Sequence, residues 1–170
     1  MLMRSLVLAG LVLSAFGSAL ADDCSSWTLD GYHLGMAGAE LLAVRSVTLH
    51  VEGQAQVIEP GKFSGALVLD ALNNLETWDV RYDAPYADGL SAALRARFGE
   101  PAADVSGTLP GFPANIRQRR TIWLSKACDT AIIVFENYSV RGAPDRSVHA
   151  SLTRASKLLP GLVDMKTLYP

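Results

Sequence analysis

Residues 63–82, FSGALVLDALNNLETWDVRY, decide the fold. Phe63 to Leu69 is a mainly apolar run that ends at Asp70. Asn73-Asn74 then supply a turn, because asparagine side chains satisfy nearby backbone groups and tolerate left-handed geometry. The chain returns through Glu76 to Tyr82, with Trp78, Val80 and Tyr82 on one side and Thr77, Asp79 and Arg81 on the other. Period two with large apolar groups on one side reads as an antiparallel hairpin that lays one face on a core.

Upstream, Trp27 to Met36 reads as an entry segment punctuated by Asp30-Gly31 and Gly35. Ala37 to Val44 is a short helix rich in Ala and Leu, with Glu40 in the first turn where a carboxylate favours the helix dipole. Val47, Leu49 and Val51 alternate with Thr48, His50 and Glu52, which predicts a strand. Gly53 to Lys62 is ambiguous, with a short strand at Val57-Ile58 before the Pro60-Gly61 break.

Downstream, Asp83 to Pro101 reads as one helix. Tyr86, Leu90, Leu94 and Phe98 recur every fourth residue, Pro85 suits the first turn, Gly99 a C-terminal cap and Pro101 a stop. Ala102 to Pro113, with Gly107, Pro110, Gly111 and Pro113, reads as a loop. Strands follow over Arg117 to Ser125, Thr130 to Val140 and around Val148 to Thr153, separated by turns at Lys126 to Asp129 and Gly142 to Asp145. The order of helix, strands, helix, strands predicts an α+β fold of two helix-then-hairpin half-units joined near residue 84, with helices packed on an antiparallel sheet.

The entry Leu34-Gly35-Met36-Ala37-Gly38-Ala39-Glu40, the hairpin, the run Leu90-x-x-x-Leu94-x-x-x-Phe98-Gly99-Glu100-Pro101 and the closing strands are similar to small exported proteins of the SmpA/OmlA and β-lactamase-inhibitor-like architecture. The resemblance covers residues 27 to 155 in order of elements and implies a helix pair packed on an antiparallel sheet. It also implies a group that includes outer-membrane assembly components and enzyme inhibitors. Its repeating unit commonly follows Leu-Gly-Met with Ser or Thr and then Glu three residues on, a capping box in which Ala37 here replaces the hydroxyl residue. No functional residue maps onto this chain by motif, and fold alone does not carry function.

Met1 to Ala21 reads as a secretory signal peptide, with Arg4 as the positive n-region, Leu6 to Phe16 as the apolar h-region and Ala19-Leu20-Ala21 as the cleavage site. The 16 residues from Leu6 to Ala21 include Gly10, Ser14, Gly17 and Ser18 and fall short of the roughly 20 apolar residues of a membrane span. Asp22-Asp23 before Cys24 do not resemble a lipoprotein signal. The apolar excess behind the mean hydropathy of +0.20 and the 49% apolar content of the 170 residues is concentrated in this segment. Removing 21 of 170 residues leaves 149, organised as one domain over 22–157 and a C-terminal tail over 158–170. Losing Arg4 takes the net charge from −2 to −3, and without a basic stretch this balance argues against a nucleic-acid partner. Export to the periplasm or beyond makes the only two cysteines, Cys24 and Cys128, a disulfide pair rather than redox catalysts, since neither sits in a C-x-x-C motif.

Chemistry-bearing motifs are sparse. There is no nucleophile elbow, phosphate loop or dinucleotide fingerprint. His33, His50 and His149 are far apart and lack metal-ligand spacing, so no metal or other cofactor is expected. The carboxylate pairs Asp22-Asp23 and Asp79 with Asp83 read as solvated groups, and calcium needs a denser set of oxygens. The one cationic cluster is Arg117, Arg119 and Arg120 at a strand entrance, where arginines either keep a sheet edge soluble or meet an acidic partner or anionic headgroup. Trp123 shares the alternation face of Arg117 and Arg119, opposite Ile122 and Leu124. It is either a core tryptophan or, with the arginines, a partner-binding patch over Arg117, Arg119, Arg120 and Trp123. The expected function is a non-enzymatic binding protein of the envelope or extracellular space, acting on a protein partner as inhibitor or assembly factor. The alternatives are a small exported hydrolase whose histidine meets an acid and a nucleophile only in three dimensions, and a structural envelope component.

Overall fold

A computed structural model describes residues 23–44, 48–51, 53–109, 116–139 and 146–158. Along them run α1 (Gly38–Val44), β1 (Thr48–Val51), β2 (Gln54–Glu59), β3 (Phe63–Leu69), β4 (Leu75–Tyr82), α2 (Ala84–Ala87), α3 (Leu90–Phe98), β5 (Ala103–Leu109), β6 (Ile116–Ser125), β7 (Thr130–Ser139) and β8 (Arg146–Arg154), with single 3-10 turns at Cys24–Ser26 and Ala155–Lys157. Met1 to Ala21, expected to be a signal peptide, and the tail beyond Leu158 lie outside the described residues.

The strands form one antiparallel sheet in the order β1-β2-β3-β4-β8-β7-β6-β5. The fold is therefore α+β, and β4 paired with β8 joins a four-stranded meander after α1 to another after α3. Each half carries four strands where a hairpin was expected.

The hairpin from which the reading began is present. Phe63 stands opposite Tyr82, Gly65 opposite Val80 and Leu67 opposite Trp78. Gly65 is required by a close approach. A Cβ there would lie 2.3 Å from Trp78 Cη2 and 2.5 Å from the Asp79 carbonyl oxygen, so the missing side chain lets the indole approach β3. Leu67, Leu75, Trp78, Ile132, Trp123 and Leu152 are buried with Phe63, Val57, Tyr32 and Leu94 in one core on the face that the helices cover.

One expectation is extended and two are corrected. Gly53 to Lys62 contains a full strand, β2, whose alternating burial puts Ala55 and Val57 in the core and leaves Gln54, Gln56 and Ile58 exposed. Residues 103–109 are the edge strand β5 and not a loop. The period-two pattern of Ala103, Val105 and Gly107 against Asp104, Ser106 and Thr108 outweighs the turn signal of one glycine, which an edge strand tolerates. The helix expected over 83–101 is broken at Asp88-Gly89 into α2 and α3, which leaves Tyr86 42% exposed while Leu94 stays buried. Gly99 does close α3, with φ of 76° and its N–H donated to the Arg95 carbonyl.

At the start of α1, Glu40 Oε2 accepts the Ala37 N–H at 3.0 Å. This is the carboxylate half of the capping box; the half that a Ser or Thr at position 37 would contribute is missing. The segment before α1 is strapped to the sheet. Cys24 and Cys128 form a disulfide with Cα atoms 5.3 Å apart, Trp27 stacks on Phe98 at 4.6 Å, and Arg97 donates to the Ser26 carbonyl at 2.6 Å. Asp30, held at φ of 56°, accepts the Tyr82 hydroxyl at 2.5 Å and the Trp78 indole N–H at 3.2 Å.

On the face opposite the helices, Ile122, Ala131 and Ile133 are buried as well. Strand β7 is thus apolar on both faces, which accounts for its unbroken run Ala131 to Phe135 in place of an alternation.

Candidate functional site

Strand β6 is an interior strand between β5 and β7, so its arginines do not guard a sheet edge. The alternation of β6 divides them. Arg117, Arg119 and Trp123 face the helix side, while Arg120 faces the other side with Ile122. Arg120 is 9% exposed, stacks over the Phe135 ring at 5.5 Å and donates from Nε to Gln118 Oε1 at 2.6 Å. Gln118 in turn donates to Asn137 Oδ1 at 2.8 Å. Arg120 is thus engaged from within the sheet and buried away from a partner.

Trp123 is 1% exposed. Its indole N–H donates to the Gly99 carbonyl at 3.0 Å, fastening the end of α3 to the sheet. The four candidate residues therefore do not form one surface. The structure brings together two of them, Arg117 and Arg119, at the end of the helix face that continues past the core.

There the sheet presents two rows. One is Thr108, Arg117, Tyr138 and Arg146 across β5, β6, β7 and β8; the next is Ser106, Arg119, Glu136 and Val148. Arg119 is committed to its own chain. Its Nε and Nη2 donate to the two Asp104 carboxylate oxygens at 2.8 and 2.6 Å, and Arg95 donates to the same carboxylate at 2.9 Å. The hydrogen bonds from Arg119, with the charges of Arg119 and Arg95, hold the Asp104 carboxyl below the usual carboxylate range. Glu136 is 5% exposed and accepts from Tyr138 Oη at 2.8 Å and from Arg146 Nη2 at 2.9 Å, while Arg146 Nη1 reaches Asp88. Burial first, and then the bond to Glu136, raises the Tyr138 phenol above its ordinary range.

Arg117 differs from these neighbours. It is exposed, and no hydrogen bond or ion pair to it occurs among the described residues, whereas Asp104 and Glu136 bond Arg119 and Arg146. The result is an unneutralised guanidinium on a rigid interior strand, flanked in its row by a hydroxyl and an aromatic ring. Asp104, Glu136, Tyr138 and Arg146 complete this constellation and were not singled out from the sequence. The available signal was the helix-facing alternation of β7, which turns from Ile132 and Val134 to Glu136 and Tyr138 and so marks where the core ends.

The histidines do not converge on this end. His33 is half-buried before α1, with Nδ1 3.1 Å from the Leu34 carbonyl, and His50 lies in β1. His149 is half-buried on the face opposite the helices, between Arg81 and Phe135. Burial, and secondly the Arg81 charge, lower its pKa. Ser151 and Asp79 share that face, yet no hydrogen bond joins His149, Ser151 and Asp79. No cluster of three metal-ligating side chains occurs among the described residues, and no helix among them is long and apolar enough to cross a membrane.

Comparison with protein-family profiles, with curated proteins and with solved structures gave no match to this chain.

Proposed function

We propose that this chain is an exported, non-enzymatic interaction domain that binds an acidic protein surface in the envelope or outside the cell, as an inhibitor or assembly factor, with Arg117 as the group that meets the acid. The observation that carries this reading is the uncompensated, exposed Arg117 in a row whose other cation, Arg146, is already paired with Glu136 and Asp88. Guanidinium is weakly hydrated and binds carboxylates bidentately, so its desolvation at an interface costs less than that of an ammonium. Beside it, Arg119–Asp104 ties β6 to β5 and Arg146–Glu136 ties β8 to β7. Export is supported by the signal-like segment Met1 to Ala21 and by the Cys24–Cys128 disulfide. The pairing of a helix with four strands in each half supports the likeness to SmpA/OmlA and β-lactamase-inhibitor-like domains.

Affinity capture from the native envelope with the immobilised mature chain tests the reading. A specific partner should be retained at low salt, elute as ionic strength rises, and bind the Arg117→Glu variant at least about tenfold more weakly, while Lys126→Glu at the other end of the sheet leaves capture intact. Equal retention by Arg117→Glu would remove Arg117 from the interface, and no partner together with turnover of a small-molecule ester panel would replace this reading with the hydrolase one.

A further inference from the structure

We propose that the acid facing Arg117 is Asp104 of a second copy of this chain, brought there by antiparallel pairing of the two β5 edges about a two-fold axis at Ser106. This rests on the reading of the Arg117 row as an interaction surface and names its partner.

Strand β5 ends the sheet, pairs on one side with β6 without a register break over all seven residues, and meets no strand on its outer side among the described residues. The opposite edge, β1, is shorter and carries a register shift against β2. Natural edges are commonly protected by lysine, proline or a bulge, and β5 has none of these. Its one charge, Asp104, is already drawn onto Arg119 and Arg95.

Two-fold pairing that keeps the helix faces on the same side must be centred on a residue, and only the midpoint, Ser106, pairs the whole of Ala103 to Leu109 with its copy. In that register Ser106 meets Ser106, Val105 meets Gly107 and Asp104 meets Thr108, so no like charges oppose one another. The Thr108 row is the Arg117 row. It is thereby extended by one position, and that position is Asp104 of the copy. Two strand spacings, about 10 Å, separate the backbone of Arg117 from that of the new Asp104, a gap that an extended arginine and an aspartate close between them. Asp104 accepts three hydrogen bonds in its own chain, and a carboxylate offers about four acceptor sites. The two-fold axis makes this contact twice. A strand from an unrelated protein would share the backbone pairing but would have to supply the acid by coincidence of sequence.

The test uses the oxidised mature chain in sedimentation velocity across a wide concentration series. A dimer that weakens with salt is expected. Ser106 is exposed, so Ser106→Lys places two like charges at the axis without disturbing the core and should yield a monomer. Arg117→Asp should weaken the dimer at least about tenfold. Ser106→Cys should cross-link the dimer under mild oxidation, because Cα atoms of directly opposed residues lie about 4.5 to 5.5 Å apart, whereas Thr108→Cys, which opposes Asp104, should not. A wild-type monomer at every concentration, or a dimer that Ser106→Cys fails to trap, overturns the proposal. If that monomer still captures an envelope partner in an Arg117-dependent way, the wider reading of the surface stands and only the choice of a second copy falls. Indifference of both capture and dimerisation to Arg117 removes the two together.

Discussion

At the residue scale, His149 gives the molecule its most direct pH signature. Burial between Phe135 and Arg81 disfavours the imidazolium, so the folded-state pKa is below the ordinary value of 6.5. The unfolded chain then takes up its proton first as pH falls. Stability from this group is fully present above about 6.5 and declines as pH drops from there through the lower folded value. Denaturant midpoints measured between neutral pH and pH 5 should show this decline, and His149→Gln should flatten it. Asp104 acts in a lower window. Its folded pKa is depressed by the Arg119 hydrogen bonds, so its contribution is present above the ordinary carboxylate value and is lost only as pH falls through the depressed one. A decline between pH 7 and 5 that survives His149→Gln would have to arise elsewhere. The same scale shows why the candidate site was half legible. Arg117 and Arg119 are visible as a cluster in the sequence, but their different fates depend on Asp104 and Glu136, which are distant in sequence and are brought in by strand register.

At the element scale, the β3–β4 hairpin is where local pattern and tertiary packing agree most closely. Trp78 lies over Gly65 because position 65 has no Cβ, and the contact includes the Asp79 backbone, which cannot swing aside as a flexible side chain would. Gly65→Ala should therefore destabilise the domain by about 2 to 4 kcal/mol through overpacking, a loss read directly from chemical denaturation. Ser64→Ala, on the exposed face one residue away, is expected to change stability by less than about 0.5 kcal/mol. Equal effects would show that the indole does not seal this strand. Elements of this kind were readable because period two is a property of the segment itself. β5 was not, since Gly107 and the following Pro110, Gly111 and Pro113 carry strong turn signals and the strand has only modest apolar residues. The break between α2 and α3 was hidden for the opposite reason. The fourfold spacing of Tyr86, Leu90, Leu94 and Phe98 continues across Asp88-Gly89, although the backbone turns there and Tyr86 packs half-exposed against Phe63 and Tyr82.

At the scale of the whole molecule, the two four-stranded halves meet along β4 and β8, and the covalent link between Cys24 and Cys128 ties the N-terminal strap to the turn between β6 and β7 in the second half. The bond spans a sequence separation of 104 residues, for which loop closure in the unfolded chain is worth about 4 to 5 kcal/mol in the chain-entropy model. The strap has other attachments. Tyr32 and Leu29 are buried, Asp30 accepts from Trp78 and Tyr82, and Arg97 holds the Ser26 carbonyl. The double substitution Cys24→Ser, Cys128→Ser should therefore leave the folded chain with its native circular dichroism at low denaturant while the unfolding midpoint falls. The denaturant slope separates the two origins of such a loss. If the disulfide works by restraining the unfolded ensemble, its removal lets that ensemble expand and expose more surface, and the slope rises as the midpoint drops. If it works by holding the strap in place, the native state loosens, the burial of Tyr32 and Trp78 is lost before global unfolding, and the slope falls. The dense packing around Asp30 predicts the first result.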